Sequence, residues 1–374
     1  MVLEALVKWK AEAANKNLGS EMNNDPQLYD KSNGLQKKDS EYLLKRLEKD
    51  FQNVSPKVIV DIGCGTGNIT KMIYSSFPDS RIIGFDCSEK MIEFARENYS
   101  TSNLNFHCGN ICADWEELSV NLDIEAESVD VVTSTFCLHW VTNTAKAMEN
   151  INKMLKPGGK CYLLMFSWSP IFPLQEQITY QEPWYELFQK LEVPMDHEKP
   201  KYATKPQSDI KSELARRAST SQLADSQHLL DLAKPKSKSS TIRRKSSAPF
   251  PVYEIPPEKE RIDHWMQLCE TANLKPIEVA IHDSTFTYED IEGFKGELVS
   301  LCHFLAHVPK DLHPQFLNDY YEHMRRVFIA HQSTLPKINV DYQFLTAIAE
   351  KPATNDTKNK INKDENQNEY ETEI

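Results

Sequence analysis

The chain has 374 residues, 40% of them hydrophobic and 26% charged, with a formal net charge of −12. That length suits one large domain or two ordinary ones, with enough apolar residues for a sizeable core. The acidic balance argues against bulk electrostatic binding of nucleic acid or an anionic membrane, and no run of about 18 apolar residues exists to form a transmembrane helix.

The eight cysteines are scattered, and no CxxC pair is present. Cys108 and Cys112 have no second pair to complete a zinc site, so no metal is expected. Reduced, buried thiols in a cytoplasmic protein are the expectation. The stretch "MVLEALVKWKAEAANKNLGSE", residues 1–21, has too short an apolar part for a signal peptide, and Glu4 interrupts it. It contains no arginine, against a mitochondrial presequence, and is expected to be a flexible extension.

Residues 22–198 open with "NNDPQLYDKSNGLQKKDSEYLL", a loop followed by a helix. Short apolar runs then alternate with helical stretches. Strands are predicted over 58–63, 81–86, 104–108, 128–133 and 159–166. Helices are predicted over 67–77, 89–99 and 144–155. Near-continuous apolar strands separated by helices predict an α/β fold with a mainly parallel sheet covered on both faces. Ligands then bind beyond the carboxyl ends of the strands, near the point where strand order reverses.

Composition shifts over residues 199–249, a Lys/Ser/Pro-rich segment with no aromatic residue between Tyr202 and Phe250. Such a segment buries too little apolar surface to offset the entropy of ordering, which predicts a disordered insertion. The expected order resumes over 250–350. A helix is predicted over 255–274, two strands or a hairpin over 275–288, helices over 291–305 and 312–331, and a last helix or strand over 342–349. The polar tail, 351–374, is expected to be disordered.

The strongest motif is "VDIGCGTG", Val60 to Gly67. A strand ends at an acidic residue, three glycines follow at alternate positions, and a helix starts. Glycines there let a turn adopt unusual angles and approach a ligand closely. The spacing G-x-G-x-G differs from the dinucleotide fingerprint G-x-G-x-x-G. An acidic residue beside the turn suits a cationic ligand carrying an ammonium and a sulfonium. Asp86 ends the second strand, 23 residues after Gly63, where a carboxylate can accept from ribose hydroxyls. "MLKPGG", Met154 to Gly159, turns into the fifth strand.

Together these three features resemble a class I S-adenosylmethionine-dependent methyltransferase, Rossmann-like in fold with a seven-stranded sheet. The resemblance implies S-adenosyl-L-methionine as cofactor. It implies that Gly63 and Gly65 pack under the methionine moiety, that Asp61 faces the ammonium and that Asp86 holds the ribose. Asn110 would meet the adenine in place of the usual acidic residue, and Ile111 would pack on the ring; the alternative for Asn110 is an ordinary turn residue. Tyr29 is expected to cover the cofactor. A Rossmann-like domain without this cofactor is the alternative to the whole reading.

The stretches "NNDPQLYDKSNGLQKKDSEYLL" (Asn23 to Leu44), "TFCLHWV" (Thr135 to Val141) and "LCHFLAHVPKDLHPQFLNDY" (Leu301 to Tyr320) further resemble the juvenile hormone acid methyltransferase family of arthropods. That resemblance implies methyl transfer to the carboxylate of a sesquiterpenoid acid, farnesoic acid or juvenile hormone acid, giving the methyl ester. A carboxylate with a pKa of about 4 is already a nucleophile at neutral pH, so no general base is required. Alignment and exclusion of water remain as the protein's tasks. Gln36, His139 and Trp140 are the neutral donors expected to orient the carboxylate. Phe166, Trp168, Ile171, Phe172, Trp184, Tyr185, Phe188, Phe286 and Phe304 are candidates for an apolar pocket within a helical substrate cap, with Phe166 and Trp184 foremost. Ordinary core packing is the alternative for each of them.

The expected partner is thus a small apolar carboxylic acid, with no nucleic acid and no integral membrane contact. Arginine pairs precede Ser219 and Ser246, as basophilic kinases require, although a solvated charged linker explains them equally. Two other functional readings stay open: a methyltransferase for another small carboxylic acid such as a fatty acid, and a non-catalytic cofactor- or ligand-binding protein.

Overall fold

The computed structural model describes residues 25–191, 256–328 and 337–353. The extension 1–21, the insertion 199–249 with Ser219 and Ser246, and the tail beyond residue 353 lie outside them.

A seven-stranded sheet has the order β3-β2-β1-β4-β5-β7-β6. Its strands are β1 (Val58–Ile62), β2 (Arg81–Asp86), β3 (Leu104–Cys108), β4 (Val129–Thr135), β5 (Leu155–Trp168), β6 (Lys275–Tyr288) and β7 (Ile338–Glu350). The first five pair in parallel, β1 lying between β2 and β4. Side chains pair across β6 and β7 as Thr287–Asn339, Thr285–Asp341 and His282–Thr346, one number falling as the other rises, so this edge is antiparallel.

The connections are helical, as parallel pairing demands. Helices α1 (Pro26–Ser32) and α2 (Gly34–Asp50) precede β1. Then come α3 (Asn68–Ser76), α4 (Glu89–Tyr99), α5 (Trp115–Leu122) and α6 (Thr144–Met154) between successive strands. Val129 to Thr135 are all buried, the mark of a central strand covered on both faces. Met148, Ile151 and Met154 recur along the buried side of α6 at helical spacing and meet Leu155, Leu163 and Val132 in one core.

The described residues divide into two compact units. One holds residues 25–167, 258–283 and 343–353 and contains the glycine motif. It includes α9 (Glu258–Thr271). The other holds residues 168–191, 284–328 and 337–342. It is built from α7 (Ile171–Thr179), α8 (Trp184–Lys190), α10 (Ile291–Ser300) and α11 (His313–Phe328) around a second hydrophobic core. The change of unit comes at Trp168, and β6 and β7 each contribute to both units.

Three expectations about elements are corrected. Residues 275–288 form one strand, neither two strands nor a hairpin: His282 pairs onward with Thr346, as Thr285 does with Asp341, across the ladder. The fifth strand starts at Leu155, ahead of Pro157-Gly158-Gly159: Gly158 donates to the Lys351 carbonyl and Lys351 donates to that of Gly159. The predicted helix over 291–305 stops at Ser300 and gives way to a 3-10 turn over His303–His307, the Cys302 N–H reaching back to Val299.

Candidate functional site

The glycine motif leaves β1 at Ile62 and reaches α3 at Asn68. Gly63 has φ +69°, and a β-carbon there would overlap the Cys137 sulfur. Gly65 has φ +53°, and among the described residues only the Tyr29 ring lies near the place of its absent side chain, 3.6 Å away. Both positions need glycine, one for close approach to the segment after β4 and one for an open face beneath Tyr29. The Gly63 and Cys64 N–H groups both donate to the Phe85 carbonyl, at 2.8 and 3.1 Å, which fixes the turn against β2.

Asp86 stands at the end of β2, as expected. Its Oδ2 accepts the Gly65 N–H at 3.1 Å and its Oδ1 the Ser88 N–H at 2.9 Å. Burial pushes its carboxyl up, and these N–H groups partly oppose the shift. The Cys87 N–H and thiol bond to the same carboxylate and oppose the rise as well.

Asp61 does not line the cleft by itself. It is buried at 1% exposure, its oxygens accepting the hydroxyls of Thr70, at 2.7 Å, and Thr133, at 2.8 Å. Burial raises its pKa to about 6, against the two threonine bonds, and the Asp86 charge adds to the rise. The expected direct contact with an ammonium is replaced by a carboxylate that ties β1 to α3 and β4. Its charge, with that of Asp86, still favours a cation at this end of the sheet.

The third strand ends near Asn110 and Ile111. Asn110 is exposed and its Oδ1 accepts the Cys112 N–H at 2.9 Å, the bond of an ordinary turn residue. Ile111 points into the core with 5% exposure, its carbonyl held by Asn150 at 2.7 Å. Sequence position alone suggested a face toward an adenine; the packing gives most of Ile111 to the core.

Beyond β4, Phe136 adopts φ +52°, rare for a bulky residue. Its N–H donates to Leu164 of β5 at 2.7 Å and its ring lies 4.7 Å from that of Phe166. A 3-10 turn, Leu138–Trp140, follows. The His139 ring stands edge-on to Phe166 at 5.4 Å and 5.0 Å from Trp140. Both His139 nitrogens are shielded from solvent, and burial lowers its pKa to about 3. The imidazole is neutral at physiological pH, a polar group in an aromatic wall.

Gln36 lies in the first turn of α2, 2% exposed, on the buried face with Asp39, Leu43 and Leu47. Trp184 is elsewhere: it sits in the core of the second unit, 2% exposed, its Nε1 donating to Asp319 at 3.0 Å and its ring edge-on to Phe316. Phe188 and Phe304 share that core. For these residues the geometry is that of ordinary packing, and Trp184 is corrected from pocket to core. Aromatic spacing cannot distinguish a pocket wall from a core.

Sequence reasoning missed Asp30. Its Oδ1 accepts from Thr66 Oγ1 at 3.0 Å and Asn68 Nδ2 at 2.7 Å, and Tyr99 Oη lies 3.4 Å from both its oxygens. This carboxylate fastens α1 over the glycine turn. The neighbouring Tyr29 was the only available signal.

Residues 60–163 match the methyltransferase domain family. Juvenile hormone acid O-methyltransferase of Bombyx mori is 30% identical over 43% of this chain and 57% of its own length. The protein of the same name from Drosophila melanogaster is 24% identical over 86% of this chain and 89% of its own. Malonyl-[acyl-carrier protein] O-methyltransferase of Bacillus cereus is 32% identical over 37% of this chain and 47% of its own. The chain thus spans little more than half of the Bombyx relative and under half of the Bacillus one. Family match and strand order agree on a class I methyltransferase domain, whose cofactor is S-adenosylmethionine. The open face at Gly65 under Tyr29 and the Asp86 carboxylate at the end of β2 fit that cofactor.

Proposed function

We propose that the protein transfers a methyl group from S-adenosylmethionine to the carboxylate of a sesquiterpenoid acid, giving a methyl ester. The observation that carries this reading is the neutral His139, half-buried with both ring nitrogens shielded from solvent, set among Phe136, Phe166 and Trp140 just past β4, on the segment that packs against Gly63. The cofactor, when bound, supplies an electrophilic methyl on a sulfonium.

Gly65 leaves room beneath Tyr29 for its methionine half, Gly63 lets the segment after β4 close against the turn, and Asp86 accepts from its ribose. Asp61, held by Thr70 and Thr133, contributes negative charge from behind the turn. Gln36, His139 and Trp140 orient the acid through neutral polar groups. A carboxylate needs no proton removed, and His139 with a pKa of about 3 is not suited to act as an acid at neutral pH. Phe136 and Phe166 exclude water, which keeps the nucleophile lightly solvated and strengthens its electrostatic pairing with a sulfonium.

The names of the Bombyx and Drosophila relatives support a sesquiterpenoid acid, and that of the Bacillus relative supports carboxylate methylation more broadly. The test uses labelled S-adenosylmethionine with farnesoic acid, its epoxide, and straight-chain acids. Labelled ester from the terpenoid acids in clear preference is the expected result. Equal rates on straight-chain acids would replace the substrate, and no ester from any acid despite cofactor binding would replace catalysis with binding alone.

A further inference from the structure

Asn33 joins α1 to α2. It is 1% exposed, and neither Nδ2 nor Oδ1 has a hydrogen-bond partner among the described residues. Its backbone is fully used: the N–H donates to Tyr29 and the carbonyl accepts from Lys37, both at 3.0 Å. Asparagine at the start of a helix ordinarily caps it with the side-chain oxygen. Here it stands at the N-cap of α2 and makes no such bond. A buried carboxamide left bare is costly, so its donor and its acceptor both call for a ligand.

The surroundings narrow the ligand. Tyr29, one helical turn earlier, lies over Gly65, and Asp30 fastens the same helix to Thr66 and Asn68. The end of α1 is therefore held against the glycine turn. Asp61, the residue that the motif offers for an ammonium, is committed to Thr70 and Thr133. A substrate carboxylate has no proton to give and would satisfy only Nδ2. A zwitterionic amino-acid group satisfies both atoms, its carboxylate accepting from Nδ2 and its ammonium donating to Oδ1.

We infer that Asn33 binds the amino-acid end of S-adenosylmethionine. This assignment rests on the methyltransferase reading above and adds a residue to its cofactor site.

Calorimetry on the full chain tests it with two probes, S-adenosylhomocysteine and 5′-methylthioadenosine, which lacks the amino-acid end. In wild type the first binds more tightly. In Asn33→Ala, S-adenosylhomocysteine weakens by about tenfold or more, the size of a lost hydrogen bond to a charged group, while 5′-methylthioadenosine is unchanged. If Asn33→Ala does not fold, Asn33→Asp carries the test. It keeps the acceptor and sets a negative charge against the carboxylate, so it shifts preference toward decarboxylated S-adenosylmethionine, which keeps the amine. Equal weakening of both probes, or no weakening, overturns the assignment. So does an Asn33→Asp variant with wild-type preference. Wild type that binds 5′-methylthioadenosine as tightly as S-adenosylhomocysteine overturns Asn33 alone. Wild type that binds neither overturns the methyltransferase reading and this assignment with it.

Discussion

At the residue scale, burial shifts two titratable groups in opposite senses, His139 downward and Asp61 upward. His139 is depressed to about 3, so between its ordinary value of 6.5 and that figure the unfolded chain binds a proton that the fold refuses. Its contribution to stability is present above pH 6.5 and is lost as pH falls toward 3. No acidic limb near pH 6–7 in the turnover profile should arise from it. His139→Gln keeps neutral polar ends and should retain more turnover than His139→Leu, which loses about ten- to a hundredfold, the size of a hydrogen bond to a charged group. A profile that falls below pH 7 in wild type and not in His139→Gln would show that the imidazole titrates in the working range. Asp61 runs the other way. With its pKa raised from 3.8 to about 6, its contribution is full below pH 4 and lost as pH rises through 6. Asp61→Asn can accept from one threonine and donate to the other, so it should gain on wild type by up to about 3 kcal/mol at pH 7.5 and not at pH 4, two pKa units at about 1.4 kcal/mol each. Denaturant titrations at both pH values decide it; a difference independent of pH would mean that Asp61 does not titrate in the fold. The sequence marked both residues, since "DIGCGTG" and "CLHWV" name them, yet it gave Asp61 the wrong direction. Strand alternation depends on partners, and Thr70 and Thr133 are visible as partners only once β1 and β4 pair.

At the element scale, α1 is a seven-residue helix that Asp25 caps through the Gln27 and Leu28 N–H groups. A helix this short is marginal alone, so its position depends on contacts outside itself. Asp30 supplies them through Thr66 and Asn68. Asp30→Ala should therefore free α1 without touching the sheet. Amide exchange over residues 26–32 should quicken by about tenfold or more, the loss of one to two kcal/mol of local hydrogen bonding. S-adenosylhomocysteine should bind more weakly, because Tyr29 travels with the helix. Unchanged exchange would mean that packing holds α1 without the carboxylate. Strands β1 to β4 and helices α3, α4 and α6 were legible within a few residues, because continuous apolar runs and capping signals are local. The fifth strand and β6 were not. "KPGG" carries turn chemistry that the ladder overrides, at Gly158 and Gly159 by bonds to Lys351 nearly 200 positions on, and β6 runs unbroken through its pairing with β7, which no local signal shows.

At the scale of the whole molecule, each unit has its own hydrophobic core, and this separates two kinds of damage. The glycine turn, Asp86, Asn33 and the His139 wall all belong to the unit of residues 25–167, whereas Trp184, Phe188, Phe316 and Tyr320 close the core of the other. Composition marked the Lys/Ser-rich segment between residues 22–198 and 250–350; the division into two cores, which crosses both of those blocks, depends on pairing that composition does not show. Phe316 is fully buried, edge-on to Trp184 at 5.0 Å and to Phe188 at 6.2 Å, and stacked on Tyr320. Replacing it with alanine removes a large apolar side chain and leaves a cavity that three aromatic rings cannot readily fill, at a cost of about 3–5 kcal/mol. That cost falls on the second unit. Phe316→Ala should lower the melting temperature or split the transition in two, since units with separate cores need not unfold together. Binding of 5′-methylthioadenosine, measured at a temperature below the first transition, should stay at the wild-type value. Loss of nucleoside binding in step with loss of the second core would instead make the two cores one cooperative body.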